Sequence, residues 1–329
     1  MKKALTLAVM LCLLLAGCTE KQSFSESFAC GEAYACAVCD EGLLTASHGS
    51  AKLFDGSGNV VFERKLDAGN AAAVKNGSLA AVYVRGGRDV VFSDAGSIRT
   101  ENGIICADLS ESGYLAVCTG QPGYMGSVTV YSDDKKAVYK WYCASERLIS
   151  AAVSPGGRCL AALTDEGVHL FSLDSEAERG VFQKPELSGI VWLGDDVLCG
   201  IGENGVYSCD DKGRTAEKRE FKGKVTGKFG VLDKKLIIEV REHSAGGAGD
   251  VYILDAGLDI KERISPDGEV WSLDCRDDEA AILTQNGVSI YSERAKLLLS
   301  ESASGASAAL LTGGGAVAVG GGSAWVIEK

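Results

Sequence analysis

Cysteine is the residue whose number and spacing first suggest chemistry, because the chain of 329 residues holds 12 of them. One follows a basic pair, Lys2 and Lys3, and an apolar run from Ala4 to Leu15, in the sequence Leu15-Ala16-Gly17-Cys18. Small residues before a cysteine at the end of a short apolar stretch form a bacterial lipobox. The peptidase cuts between Gly17 and Cys18, and the Cys18 sulfur carries a diacylglycerol. The apolar run is too short to cross a hydrocarbon core of about 30 Å as a permanent helix. Each buried methylene adds about 0.8 kcal/mol of membrane affinity, so the acyl chains anchor the protein without a transmembrane segment. Residues 1–17 are therefore expected to be a signal peptide, 18–27 a lipidated cysteine with a short tether, and 28–329 the folded domain. The expected address is the extracytoplasmic face of the cell membrane.

Of the remaining cysteines, Cys36-Ala-Val-Cys39 with Cys30 nearby has the look of a metal or redox site. Zinc takes four ligands, yet there is no second C-x-x-C, and His48, His169 and His243 are scattered. A redox role needs a helix N-terminus to lower the thiol pKa, and this segment reads as strand. Two other pairs flank hairpin turns: Cys106 with Cys118, and Cys199 with Cys209. In an exported protein each is a candidate disulfide; the competing interpretation is a small buried hydrophobe in a strand. The acidic turns Asp133-Asp134, Asp210-Asp211 and Asp277-Asp278-Glu279 lack the alternating oxygen spacing of a calcium loop. No G-x-S-x-G, H-E-x-x-H or G-x-x-x-x-G-K occurs. No catalytic residue, metal or cofactor is assigned.

The elements that must carry these residues are strands. Gly is frequent (42) and Pro scarce (4), the composition of a chain that turns often and tightly. Short alternating segments ending in an acidic turn recur: AKLFD from Ala51, DVVFSD from Asp89, VTVYSD from Val128, VHLFSLD from Val168, GVYSCD from Gly205, DVYILD from Asp250, VSIYSE from Val288 and AWVIEK from Ala324. Val128, Val168, Val206, Val251 and Val288 are spaced by 40, 38, 45 and 37 residues. The unit from Leu148 reads LISAAV, RCLAAL, VHLFSL and RGVF between Ser-Pro-Gly-Gly, Thr-Asp-Glu-Gly and acidic turns. Four antiparallel strands per ~40 residues make a propeller blade, which buries its faces only by stacking on neighbours. The expected fold is all-β, a single β-propeller of about eight four-stranded blades, with seven as the alternative. The last copy shows only three strands, so the segment from about Gln22 to Ala29 is expected to supply its outermost strand and close the ring.

Charge limits the partners. With 45 acidic and 33 basic residues the formal charge is -12, and losing Lys2 and Lys3 makes it -14. Nucleic acid is excluded, since phosphate binding needs a basic surface. In a propeller the loops joining second to third strands open on the same face as the loops joining blades. Three of the former stand out: Arg85-Gly86-Gly87-Arg88, TGQPGYMG from Thr119, and REHSAGGAG from Arg241. Arg85, Arg88, Gln121, Tyr124, Met125, Glu242 and His243 would ring that face with the residue types that anchor interfaces.

Several stretches resemble a family of exported, membrane-attached propeller-like proteins of Gram-positive anaerobes whose function is unassigned. They are Tyr83-Val84-Arg85-Gly86-Gly87-Arg88-Asp89-Val90, the block from Ser110 to Tyr142, AAVSPGGRCLAAL from Ala151 and REHSAGGAGDVYILD from Arg241. The resemblance implies a WD40- or quinoprotein-like propeller outside the membrane and brings no catalytic residues with it. Members carry a transmembrane helix where this chain has a lipobox. The function expected is non-enzymatic: a lipid-anchored propeller binding a protein or envelope polymer. The alternative is an envelope enzyme, such as a glycan-active hydrolase or lyase, with carboxylates in the central channel.

Overall fold

A computed structural model describes residues 24–184, 186–243 and 246–329. The expected signal peptide, with its cleavage site at Gly17, and the expected lipidation site, Cys18, lie outside the described residues. Every sheet has four antiparallel strands, and there are eight such sheets. Numbering blades in chain order, with strands a to d from the axis outward, the a strands are Ala35–Cys39, Ala71–Lys75, Ile104–Leu109, Leu148–Val153, Leu187–Trp192, Lys224–Leu232, Ser272–Arg276 and Ala308–Leu311. Each of these touches the next around the ring, and the last touches the first. Closure uses the chain start: Phe28–Ala29 is strand d of blade 8, with Phe28 opposite Ala324 and Ala29 opposite Ser323.

Burial follows from radial stacking. The b strands Ala80–Val84 of blade 2, Leu115–Thr119 of blade 3 and Cys159–Thr164 of blade 4 are buried at every position, because both of their faces meet neighbouring blades. The d strand Val60–Lys65 of blade 1 is exposed at all but one position. The apolar core is correspondingly divided into eight clusters, one at each blade boundary. Removing any one blade would expose two of them.

The c–d turns repeat one device. A residue in the left-handed region, such as Ala95, Lys135, Glu176, Leu258 or Ala295, completes the turn. In most blades a register shift in the c–d ladder follows, as between Val130 and Tyr131. A turn with a left-handed residue and a bulge is a standard hairpin closure. The leading aspartate helps to hold it: Asp55 Oδ1 accepts from the amides of Ser57 and Asn59, both at 2.9 Å.

Candidate functional site

Two surfaces deserve a chemical description, one on each face of the ring. The first is the face formed by b–c and d–a loops. Strand b of blade 2 ends at Val84 and strand c, Asp89–Phe92, begins four residues later, so Arg85 to Arg88 form the loop predicted from sequence. Both arginines are exposed, and neither guanidinium is ion-paired among the described residues. The loop is pinned to blade 3: Gly86 N donates to Ile104 O and Ile104 N donates to Gly87 O, each at 2.8 Å. The close approach needs glycine, since a Cβ on Gly103 would sit 2.9 Å from Gly86 O.

Gly120 opens the longer loop of blade 3, between strand b and strand c, Gly126–Tyr131. Gln121 Oε1 accepts from Asn102 Nδ2 at 3.3 Å, tying this loop to the d–a connection from blade 2. Tyr124 is 46% and Met125 51% exposed. Tyr124 lies against Tyr142 of strand d, Ala137–Cys143, with ring centroids 4.9 Å apart. Tyr142 is itself 41% exposed, and Lys140 Nζ sits 5.1 Å from its ring centre. Exposed aromatic rings, methionine and unpaired arginines are the residue types that carry binding energy at interfaces. Tyr142 was not singled out from sequence. Its signal was the alternation Tyr139, Trp141, Cys143 inward and Val138, Lys140, Tyr142 outward.

A polar knot fixes the floor of this patch. His169, on strand c of blade 4 (Val168–Ser172), reaches Glu146 at 2.9 Å through Nε2 and Glu178 at 3.1 Å through Nδ1. Thr164 Oγ1 donates to the same Glu146 oxygen at 2.5 Å. That bond, opposed by burial and aided by His169, holds the Glu146 carboxyl below its ordinary pKa. Trp141 packs on His169 at 5.1 Å. The Cys143 thiol donates to Glu146 O, and Met125 N to Cys143 O, each at 2.9 Å. The knot therefore sets the backbone from which Met125 and Tyr142 project.

Glu242 and His243 are exposed and begin the b–c loop of blade 6. They share the face but not the patch, because blade 6 is three places from blade 3 in the ring of eight. What anchors their loop was not foreseen. Arg241 is buried and donates to Glu239 Oε1 at 2.8 Å, Glu269 Oε1 at 2.7 Å and Val270 O at 3.0 Å. Glu239 is wholly buried and also accepts from Thr226 Oγ1 at 2.5 Å. Burial works against the Arg241 charge, but the two glutamates outweigh it and raise its pKa.

The opposite face opens into a funnel along the axis, a cavity of about 1140 Å³. Its mouth is formed by a–b turns carrying Glu111, Asp195, Asp233, Asp277 and Asp278, and its wall includes Val153, Ile190, Phe229 and Leu273. The a strands present their inner edges to this space, so side chains satisfy amides that have no strand beside them. Asp108 Oδ2 accepts from Val153 N at 3.2 Å, and Asp274 Oδ2 accepts from Leu311 N at 2.8 Å. Lys75 of blade 2 reaches Asp274 of blade 7 at 2.6 Å, linking non-adjacent blades across the channel. Desolvation pushes the Asp108 carboxyl up to about 6, against the pull of the Val153 and Leu109 amides.

The cysteines resolve into distinct environments. Cys36 packs at the boundary of blades 8 and 1, and Cys39 at that of blades 1 and 2. Three residues apart on one strand, they face opposite sides and cannot share an ion. Burial pushes their thiols up to about 12 and about 11. Cys106 and Cys118 are directly opposite across the a–b ladder of blade 3, both as free thiols. Cys118 bonds to Cys106 and holds the Cys106 thiol below its ordinary value. Cys199 and Cys209, the other candidate pair, are free thiols that the strand register holds apart. Cys199 opposes Ser208 and Cys209 opposes Leu198, and this offset of one sends the two side chains to different blade boundaries.

The chain can now be compared with known proteins. Residues 20–164 match a family of unknown function, DUF5711. The match spans blades 1 to 3 and the first two strands of blade 4, and so includes Arg85, Arg88 and the Tyr124 loop. No curated protein sequence matches the chain. Among solved structures the fold is similar to that of Sqt1 from Saccharomyces cerevisiae, at 10% identity and a TM-score of 0.68, covering 93% of this chain and 99% of that one. Sqt1 from Chaetomium thermophilum, bound to the N-terminus of the ribosomal protein L10, superposes at 14% identity and a TM-score of 0.65, covering 94% and 98%. BamB from Moraxella catarrhalis does so at 14% identity and a TM-score of 0.60, covering 93% and 100%. These likenesses show the fold alone, a propeller, which agrees with the eight four-stranded sheets.

Proposed function

We propose that this protein is a lipid-anchored, extracytoplasmic binding propeller that holds a protein partner on the loop face of blades 2 and 3. The observation that carries the proposal is that Arg85 and Arg88 of blade 2 and Tyr124, Met125 and Tyr142 of blade 3 are all exposed on adjacent blades. The two guanidiniums are unpaired among the described residues, and glycine contacts and the His169 knot hold the backbone. A solved propeller of the same architecture is bound to a protein N-terminus, which supports a protein rather than a polymer as the partner. The Leu15-Ala16-Gly17-Cys18 sequence supports the anchor. Chemical cross-linking in native membranes, followed by capture of this protein, is expected to recover a partner that Arg88→Ala with Tyr124→Ala loses; an unchanged partner list refutes the assignment. Cys18→Ala is expected to release the protein from membranes, and membrane retention of the processed variant counts against lipidation.

The funnel supports a second reading, catalysis on an envelope glycan. Asp108, protonated up to about pH 6, would serve as acid, and Asp274, paired with Lys75 at 2.6 Å, as its counterpart. Under this reading Asp108→Asn abolishes turnover of cell-wall glycan while leaving partner capture intact. Under the binding reading, purified protein leaves such glycan uncut.

A further inference from the structure

The eighth blade carries a recognition feature that is independent of the loop face. In blade 3 the d strand covers strand c from Gly126 to Tyr131, and in blade 7 Leu297–Glu301 covers Val288 to Tyr291. In blade 8 the corresponding ladder stops after two pairs, at Ala324, although strand c continues to Glu328. The segment before Phe28 turns away. It bends at Glu26, Ser25 N donates to Gly56 O at 3.0 Å in the c–d turn of blade 1, and Phe24 is buried against Phe28 at 6.2 Å.

Trp325 to Glu328 are left lining a groove of about 570 Å³, bounded by Ser25 to Ser27 on one side and Glu301 to Ser304 of blade 7 on the other. Val326 N donates to Ser27 Oγ at 3.3 Å, which fixes the orientation of the edge. By strand alternation, Val326 and Glu328 turn their amides and carbonyls toward the groove, while Trp325 and Ile327 turn theirs toward strand b, Gly315–Gly320. An open edge of this kind is a template for a further strand. The charged side chains lining the groove are Glu26, Glu301 and Glu328, with no lysine or arginine among them.

The geometry points to this groove as the docking site of an extended partner segment that adds a strand to the edge of blade 8 and carries basic side chains. The occupant follows from two features. The other seven blades fill the same position with a strand of this chain, and three carboxylates with no lysine or arginine among the described lining residues select lysine or arginine on the incoming strand. With the Val326 amide held by Ser27 Oγ, backbone bonds to the Val326 carbonyl and to the Glu328 amide and carbonyl set register, and the glutamates set side-chain preference.

The test uses the purified full chain and a fluorescein-labelled hexapeptide of alternating lysine and valine, followed by fluorescence anisotropy. Saturable binding is expected, weakened at least tenfold by Glu301→Lys with Glu328→Lys, both exposed positions, in a variant whose circular dichroism is unchanged. The same peptide with N-methylated backbone amides is expected to bind at least tenfold more weakly, and a glutamate–valine peptide to prefer the charge-reversed variant. Equal binding by the N-methylated peptide overturns strand addition. Equal binding by the glutamate peptide to the unaltered chain overturns the basic preference, and absence of binding by the lysine peptide overturns the site. None of these outcomes bears on the loop-face patch.

Discussion

Replacing Asp108 by Asn isolates one half-buried carboxyl of the funnel wall and gives a stability change whose sign depends on pH. Desolvation in the funnel wall moves this group from 3.8 to about 6, which at about 1.36 kcal/mol per pH unit makes the ionised form cost roughly 3 kcal/mol more in the fold than in the unfolded chain. The folded state holds the proton more tightly, so wild-type stability falls as pH rises from 3.8 through about 6 and the penalty is complete above that. Asparagine removes the charge but keeps an oxygen for Val153 N, and the weaker bond returns about 1 kcal/mol of the gain. The variant should therefore be more stable by about 1–3 kcal/mol at pH 8, equal or slightly less stable at pH 4, and intermediate near pH 6. Urea unfolding midpoints of both proteins at these three pH values make the measurement, since the titrations of all other groups cancel in the difference. A variant less stable at pH 8, or a difference independent of pH, would refute the desolvation argument.

Other perturbations probe other parts of the ring. Arg241→Met leaves the buried Glu239 with only Lys228, 3.6 Å away, as countercharge and should lower stability by about 3 kcal/mol, the lower end for a broken buried pair, with most of it recovered in the Glu239→Gln, Arg241→Met double variant; thermal unfolding of both proteins checks this. Phe28 packs on Phe54 with centroids 5.5 Å apart in the strand that closes the ring, so Phe28→Ala should cost about 2–4 kcal/mol, read by denaturation, and should raise amide exchange at Ala324 before exchange elsewhere. Oxidised glutathione should convert the Cys106 and Cys118 thiols to a disulfide, with the glutathione reduced in exchange, while no Cys199–Cys209 crosslink forms. Peptide mapping by mass spectrometry distinguishes these outcomes, and a Cys199–Cys209 crosslink would contradict the strand register.

The fold was legible because a propeller repeats itself. One blade read correctly at Leu148 to Phe182 predicts the others, and the missing fourth strand of the last copy points to the segment from about Gln22 to Ala29 as the closing strand, which Phe28–Ala29 forms. The b–c loops were legible for the same reason, since topology alone puts Arg85, Tyr124 and Glu242 on one face. Side-chain partners were not. Glu239 and Arg241 alternate in an otherwise apolar strand, which signals a buried ion pair, but Glu269 joins them from a turn 28 residues away. The Glu146–His169–Glu178 knot likewise draws on a loop and strand c. Register was also beyond sequence: the turn after Cys199 has the same look as the one after Cys106, yet a one-residue offset separates the first pair and aligns the second. The funnel acids come from different blades and line one cavity only when the ring closes.

The account rests on the loop face of blades 2 and 3 being where a protein partner sits. The direct measurement places a photo-crosslinking amino acid at position 124 and, in a separate protein, at position 195 on the funnel rim, each irradiated in native membranes. A discrete protein adduct from position 124 and none from position 195 is the predicted result. Adducts from position 195 alone, or equally from both, would contradict it.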